Sequence, residues 1–114
     1  MATIYKICPA PLWRAAEAAG VLRGLPVDET DGYTHFSTGS QVAGTLRLHF
    51  ASVEGLIVAA VDTQKLGDRL RYEPSRGGEL FPHLYDVLPM SAVLWAKPLA
   101  IGKDGRHVLP DEVS

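Results

Sequence analysis

The stretch Leu56-Ile-Val-Ala-Ala-Val-Asp62 decides the fold, because it is apolar up to its last residue. This pattern is typical of a central β-strand that is covered on both faces. Its uninterrupted apolar part, residues 56–61, is far shorter than the ~20 residues that a bilayer-spanning helix needs. We therefore expect a buried strand and no membrane segment at this position.

Two helices and two strands are predicted before this strand. The periodicity of apolar residues from Leu12 predicts the first helix, and Gly20 is placed to end it. Thr38 and Gln41 have the spacing of a capping box, which predicts the start of the second helix. The predicted elements are a strand over 2–8, a helix over 12–19, a polar loop over 22–31, a strand over 33–37 and a helix over 39–51.

After residue 62 the pattern is mostly that of strands. Residues 69–73 alternate, residues 81–85 form an aromatic segment, and residues 92–101 predict a last strand that Pro98 bends or places at an edge. The predicted fold is α+β, with two N-terminal helices packed on a mixed, largely antiparallel sheet. We expect a single domain over 1–114, with an ordered core over about 3–101 and a polar tail over 102–114.

The composition excludes several classes of protein. The chain has 114 residues, of which 46% are hydrophobic and 21% charged, as in a globular domain. A formal net charge of −2 disfavours DNA binding, which normally requires a basic excess. Cys8 is the single cysteine, so an internal disulfide and a four-thiolate zinc site are impossible. We expect Cys8 to be buried and unreactive, and the protein to be cytoplasmic.

The first candidate constellation is Gly32-Tyr-Thr-His-Phe-Ser-Thr38. A strand would place His35 and Ser37 on one face, immediately before a helix N-terminus whose free N–H groups attract anions. His35 can bind a ligand hydroxyl or act as an acid or base near neutral pH. The alternative is that Ser37 or Thr38 only caps the helix and His35 is an ordinary strand residue.

The second constellation is Pro82-His-Leu-Tyr85. If this segment is extended, His83 and Tyr85 share a face and can pack on a flat ring or hold a ribose. Alternatively, Tyr85 is a core aromatic residue whose hydroxyl is bonded to backbone.

The third constellation contains Arg69, Arg71 and Glu73, with Arg76 and Gly77-Gly78 nearby. Glu73 is a candidate catalytic or binding carboxylate, and an arginine can hold a phosphate in a forked contact. A solvated strand face with paired charges explains the same pattern.

The four histidines do not have the spacing of a metal site, and we predict no metal. Their positions are 35, 49, 83 and 107, without an H-x-H or H-E-x-x-H pair.

These motifs together resemble a known family. The segments Ile4–Ile7, Gly32–Thr38, Tyr72-Glu73 and Phe81–Tyr85, with Trp13, are similar to the small bacterial family called domain of unknown function 952. The resemblance covers about residues 3–100. It implies a fold similar to that of the ADP-ribosyltransferases and the NAD-dependent RNA 2′-phosphotransferases.

The resemblance also implies roles for individual residues. His35 would bind the ribose of NAD, and Tyr72 or Tyr85 would stack on nicotinamide. The chain departs from that pattern because no glutamate lies between Glu79 and Glu112, where the catalytic carboxylate is usual. Glu73 would have to replace it from another position.

Three functions remain open at this point. The first is an enzyme, an ADP-ribosyl- or phosphoribosyl-type transferase, acting on NAD or another ADP-ribose compound. The second is a non-catalytic module that binds a nucleotide or small metabolite, and the third is a structural or interaction domain. The candidate catalytic residues are His35, Glu73 and His83. The candidate ligand-binding residues are Ser37, Thr38, Gln41, Arg71, Tyr72 and Tyr85.

Overall fold

The structure is a computed structural model that describes residues 2–113. In this range the helices are α1 Ala10–Ala19, α2 Pro26–Asp31 and α3 Val42–His49. The strands are β1 Thr3–Pro9, β2 Val21–Leu22, β3 Thr34–His35, β4 Ser37–Thr38, β5 Leu56–Asp62, β6 Leu70–Pro74, β7 Leu80–Leu84, β8 Leu88–Pro89, β9 Val93–Pro98, β10 Ala100–Ile101 and β11 His107–Val108. The fold is α+β, as predicted, but it has a third helix, and all strand pairs in this range are antiparallel where a mixed sheet was expected.

The central sheet has the strand order β4-β1-β5-β9, and its neighbouring strands are antiparallel. The apolar residues of β5 are all buried, and they alternate between two apolar clusters on opposite faces of the sheet. The prediction of a central strand covered on both faces is therefore confirmed. Most of the favourable burial free energy of the domain comes from these two clusters, because apolar area removed from water is the main driving term.

A smaller sheet has the order β3-β7-β6. In this sheet His35 lies opposite His83, and His83 lies opposite Arg71 on the other neighbouring strand. The aromatic segment over 81–85 is thus mostly a strand in the middle of a sheet. This register brings together motifs that are far apart in the sequence.

The predicted helix over 12–19 is α1, which begins two residues earlier, at Ala10. Pro11 is tolerated there because the first turn of a helix has no intrahelical partner for its N–H groups. Gly20 ends the helix with φ +85°, as predicted, because the left-handed conformation costs glycine little.

The prediction of a polar loop over 22–31 is wrong at its second half, where α2 lies. Pro26 begins this helix, and the buried carboxylate of Asp28 accepts a hydrogen bond of 2.6 Å from the N–H of Leu25. Proline followed by acidic residues in the first turn is itself a helix-start signal, which the polar composition of the segment concealed.

The prediction of one continuous strand over 33–37 is also wrong. The chain changes sheets at Phe36, so that β3 pairs with β7 and β4 pairs with β1. The N–H of Phe36 donates to the carbonyl of Pro82 at 3.0 Å, and its ring is buried in the core. Because of this crossing, His35 belongs to the smaller sheet and Ser37 to the central sheet.

The second predicted helix is α3, which begins at Val42 instead of Gly39. Only half of the capping box forms: the Gln41 side chain accepts from the N–H of Thr38 at 3.0 Å, while the Thr38 hydroxyl contacts Ser40. Residues 38–41 therefore form a turn that precedes the helix.

The last predicted strand, over 92–101, is β9 followed by β10, with the break just after Pro98. β9 is at an edge of the central sheet, in agreement with the presence of that proline. Beyond residue 102, β11 pairs with β10, and Leu109 and Val113 pack against one apolar cluster.

Within residues 2–113, no helix is long and apolar enough to span a membrane. The cytoplasmic location stays a prediction.

Candidate functional site

A cavity of about 530 Å³ lies between the central sheet, the smaller sheet and α3. Its volume is in the range of small-molecule sites. Its lining includes polar side chains from β1, α2, β3, β4, α3, β7 and the segment between β6 and β7: Lys6, Asp31, His35, Ser37, Thr45, His49, Ser75, Arg76 and His83. His35, Ser37 and His83, which the sequence singled out, thus line one cavity.

A buried ion pair anchors one wall of the cavity. The Nζ of Lys6 lies 3.1 Å from Asp28, and both side chains are almost completely buried. Lys6 also donates to the backbone carbonyl of His35 at 2.9 Å. Burial lowers the pKa of Lys6, and the charge of Asp28 opposes this shift. The charge of Lys6 is thus paired with that of Asp28 in the protein interior. Through its bond to the carbonyl of His35, Lys6 also holds β3 against β1.

Asp28 accepts hydrogen bonds from several donors at once. Besides Lys6 and the N–H of Leu25, it accepts from the N–H of His35 at 2.9 Å and binds Nδ1 of the same ring at 2.6 Å. Burial alone would raise the pKa of Asp28, but the His35 hydrogen bond, the Lys6 charge and the backbone N–H groups lower it to about 2. Asp28 is therefore ionised and holds His35 in place.

The imidazole of His35 is bonded to carboxylates at both nitrogens. Nδ1 contacts Asp28, and Nε2 lies 2.9 Å from the exposed Asp31. Both ring nitrogens of His35 are therefore occupied by carboxylate partners within the protein. A ligand hydroxyl that reaches Nε2 would have to displace Asp31.

His83 has a different arrangement. Its Nδ1 lies 2.9 Å from Glu73, and the hydroxyl of Tyr85 donates to the same carboxylate oxygen at 2.6 Å. These two hydrogen bonds, that of Tyr85 first, lower the pKa of Glu73, and the contact raises the pKa of Tyr85. No group within residues 2–113 hydrogen-bonds Nε2 of His83, which leaves that nitrogen for a ligand in the cavity.

Tyr33 packs the two histidines together. Its ring centroid is 4.1 Å from that of His83, in a stacked arrangement, and 4.7 Å from that of His35. The centroids of His35 and His83 are 5.6 Å apart. Tyr85 also contacts Tyr33, at 5.3 Å, so the aromatic rings limit the motion of both imidazoles.

Hydroxyls and a cation also line the cavity. The hydroxyls of Ser37 and Thr45 are 2.9 Å apart, and Arg76 donates to Thr45 at 3.4 Å. The guanidinium of Arg76 lies 4.8 Å from the centroid of the Phe81 ring. The cavity lining thus combines two histidines that have carboxylate partners with a group of two hydroxyls and an arginine.

Six of the nine candidate residues lie outside the cavity lining. Gln41 bonds the backbone of Thr38 and of Leu80, so both Gln41 and Thr38 serve the turn before α3. Arg71 lies over the Tyr85 ring at 5.5 Å, outside the cavity, and Tyr72 is exposed on β6. Glu73 and Tyr85 reach the cavity only through their contact with His83.

Four residues of the site were not predicted from the sequence: Lys6, Asp28, Asp31 and Tyr33. Arg76 was considered only as a neighbour of Glu73. One signal was available for Lys6, because a lysine in the middle of a buried strand requires a carboxylate partner. Tyr33 has the same strand parity as His35, which also pointed to the site. Nothing in the local sequence distinguishes Asp28 from the other acidic residues of α2.

Two histidines, each oriented by a carboxylate, give the site the elements of general acid–base chemistry. The carboxylate of Glu73 holds Nδ1 of His83, and that of Asp28 holds Nδ1 of His35. Across residues 2–113, no group of three or more His, Cys, Asp or Glu side chains is arranged to hold a metal ion.

Comparison with known proteins identifies relatives without an assigned activity. The model of a family described as protein of unknown function (DUF952) matches residues 7–96. The crystal structure of protein CC0527 from Caulobacter crescentus is 40% identical, covers 97% of both chains and superposes with a TM-score of 0.92. The solution NMR structure of CC0527 is 40% identical over 93% of this chain and 91% of the other, with a TM-score of 0.84. No curated protein matches the chain.

Proposed function

Since the chain belongs to the DUF952 family, whose activity is not known, its function must be inferred from the site, and we propose that it is an enzyme acting on NAD or another ADP-ribosyl compound. The reaction takes place in the cleft lined by His35, Ser37 and His83. An ADP-ribosyltransferase-like arrangement of the fold is part of this proposal. The family resemblance supports it as an analogy, and the geometry of the site supports it physically.

The observation that carries the proposal is the position of His83. Its Nδ1 is held by Glu73, and its Nε2 is left to a cavity large enough for a nucleotide-sized ligand. A histidine with one nitrogen fixed by a carboxylate and the other facing a ligand has the geometry of a general base.

The reaction would break the bond between the ribose C1′ and the nicotinamide nitrogen. The electron pair of that bond goes to the nicotinamide ring, which leaves as a neutral molecule. A water or other hydroxyl nucleophile bonds to C1′ and gives its proton to Nε2 of His83. Glu73 stabilises the resulting imidazolium, and His35 positions a ribose hydroxyl.

A specific observation favours the second candidate, a non-catalytic nucleotide-binding module. The carboxylates around the two histidines, Asp28, Asp31 and Glu73, are all hydrogen-bonded to protein donors. None of them is free to face an oxocarbenium-like ribose directly, as a catalytic carboxylate would. In that case the same cleft binds the ligand without breaking a bond.

The test is incubation with NAD, followed by chromatographic detection of nicotinamide, for wild type, His83→Gln and the control His107→Gln. His107 lies on β11, and its ring bonds the carbonyl of Val53, outside the cavity. Nicotinamide release by wild type and His107→Gln but not by His83→Gln supports the enzyme. Binding of ADP-ribose without release supports the binding module, and absence of both overturns the proposal.

A further inference from the structure

Arg76 is a cation that faces the cavity without a carboxylate partner. None of the ion pairs within residues 2–113 includes it. Its guanidinium is half-buried, lies against the Phe81 ring and donates to the Thr45 hydroxyl at 3.4 Å. A partly desolvated arginine that is not neutralised by an acidic side chain attracts an anion.

Gly44 on α3 lies against the guanidinium of Arg76. A Cβ atom at residue 44 would lie 3.1 Å from a terminal nitrogen of the guanidinium and 3.7 Å from its Cζ. Gly44 is inside α3, where glycine destabilises a helix by up to about 1 kcal/mol relative to alanine. The space left by the missing side chain lets the guanidinium lie directly against the helix.

We propose that Arg76, Thr45 and Ser37 form the subsite for a phosphate group of the ligand. The guanidinium has five N–H donors, and one of the two hydroxyls, which bond each other at 2.9 Å, keeps its proton for the ligand. A phosphate presents several acceptor oxygens to such a set and is bound by arginine in a forked geometry. This inference rests on the proposed function, since it divides the same cavity into subsites.

The charge distribution of the cavity orients the ligand. The carboxylate of Asp31 lies 2.9 Å from His35 in the cavity lining and repels an anion, whereas Arg76 attracts one. The phosphate therefore binds at Arg76, and the sugar hydroxyls bind between His35 and His83. The substrate class is that of phosphorylated ribosyl compounds, and uncharged nucleosides bind more weakly.

The test titrates inorganic pyrophosphate into the protein and follows the arginine Nε–H resonances by NMR. In wild type, the Arg76 resonance shifts saturably. Arg76→Gln weakens pyrophosphate binding about tenfold or more, the size expected for losing a charge-assisted contact. Arg76→Lys retains the positive charge but not the forked pair of N–H donors, and it weakens pyrophosphate binding by an intermediate factor. Arg14→Gln, an exposed arginine on α1, leaves binding unchanged.

Gly44→Ala tests the subsite with a substitution that is not expected to destabilise the fold. Alanine is the better helix former, so this variant melts a few degrees higher than wild type. It binds pyrophosphate several-fold more weakly, because the new methyl group displaces the guanidinium. Unchanged affinity in Gly44→Ala contradicts the role of the glycine.

A parallel titration with ADP-ribose separates the two proposals. Pyrophosphate binding at Arg76 without any binding of ADP-ribose supports the phosphate subsite and overturns the proposed function. ADP-ribose binding that Arg76→Gln does not weaken leaves the proposed function standing and overturns the subsite. No response of Arg76 to pyrophosphate also overturns the subsite.

Discussion

The rings of His35 and His83 lie opposite each other on antiparallel strands, with centroids 5.6 Å apart. Each contacts a different carboxylate through Nδ1, Asp28 for His35 and Glu73 for His83. Asp28 is almost completely buried, whereas the side chain of Glu73 is 35% exposed. The first carboxylate therefore stabilises the fold, and the second is placed to respond to a ligand.

Asp28→Asn should be strongly destabilising. The substitution leaves the charge of Lys6 buried without its partner, which costs about 3–5 kcal/mol. Lys6→Met should cost less, because Asp28 keeps its hydrogen bonds from Leu25 and His35. Urea denaturation measures both free energies of unfolding. The control is Asp31→Asn, an exposed partner of His35, with an expected loss below about 1 kcal/mol. Equal stability of Asp28→Asn and Asp31→Asn would contradict this role.

Stability should fall in acid because of Asp28. Its pKa is about 2 in the folded protein, against an ordinary value of 3.8. A lowered pKa contributes stability that is present above about pH 4 and is lost as the pH falls towards 2. The shift corresponds to about 2 kcal/mol. Unfolding measured between pH 2 and 6 should show a flatter dependence in Asp28→Asn than in wild type. Parallel curves for the two proteins would rule out this contribution.

Tyr85→Phe should raise the pKa of Glu73 towards its ordinary value. The hydroxyl of Tyr85 provides the largest contribution to the lowered pKa of that carboxyl, ahead of His83. The pKa can be followed by NMR titration of the labelled side-chain carboxyl carbon. Tyr72→Phe is the matched control, since Tyr72 lies exposed on β6 and should not alter Glu73. An unchanged Glu73 pKa in Tyr85→Phe would show that the hydrogen bond does not form in solution.

Cys8 should react with thiol reagents only when the protein unfolds. It is completely buried, and burial raises the pKa of its thiol to about 11. Because the thiolate is the reactive form, both access and ionisation oppose modification. Labelling by iodoacetamide at pH 8 should follow the rate of unfolding and become fast in denaturant. Rapid stoichiometric labelling of the native protein would be inconsistent with the buried position.

The elements set by local pattern were predictable from the sequence. The apolar run of β5 is typical of a strand that is covered on both faces, and Gly20 ends α1 where a left-handed residue is needed. His83 and Glu73 were both proposed as functional, but in separate motifs. Only the pairing of β6 with β7 brings them into contact.

The predictions that failed concern features that depend on contacts between residues far apart in the sequence. Asp28 lies in a segment of polar composition, and its burial depends on Lys6 and His35, which are 22 and 7 residues away. The change of sheet at Phe36 depends on two partner strands that local sequence does not specify. The contact between Arg76 and Thr45 likewise joins residues that are 31 positions apart in the chain.

Calorimetric titration of ADP-ribose into wild type, His83→Gln and His107→Gln tests the central claim most directly. We expect saturable binding by wild type and His107→Gln, and an affinity lower by about tenfold or more in His83→Gln. Absence of binding by wild type, or equal affinity in all three proteins, would contradict the assignment of this cavity to an ADP-ribosyl ligand.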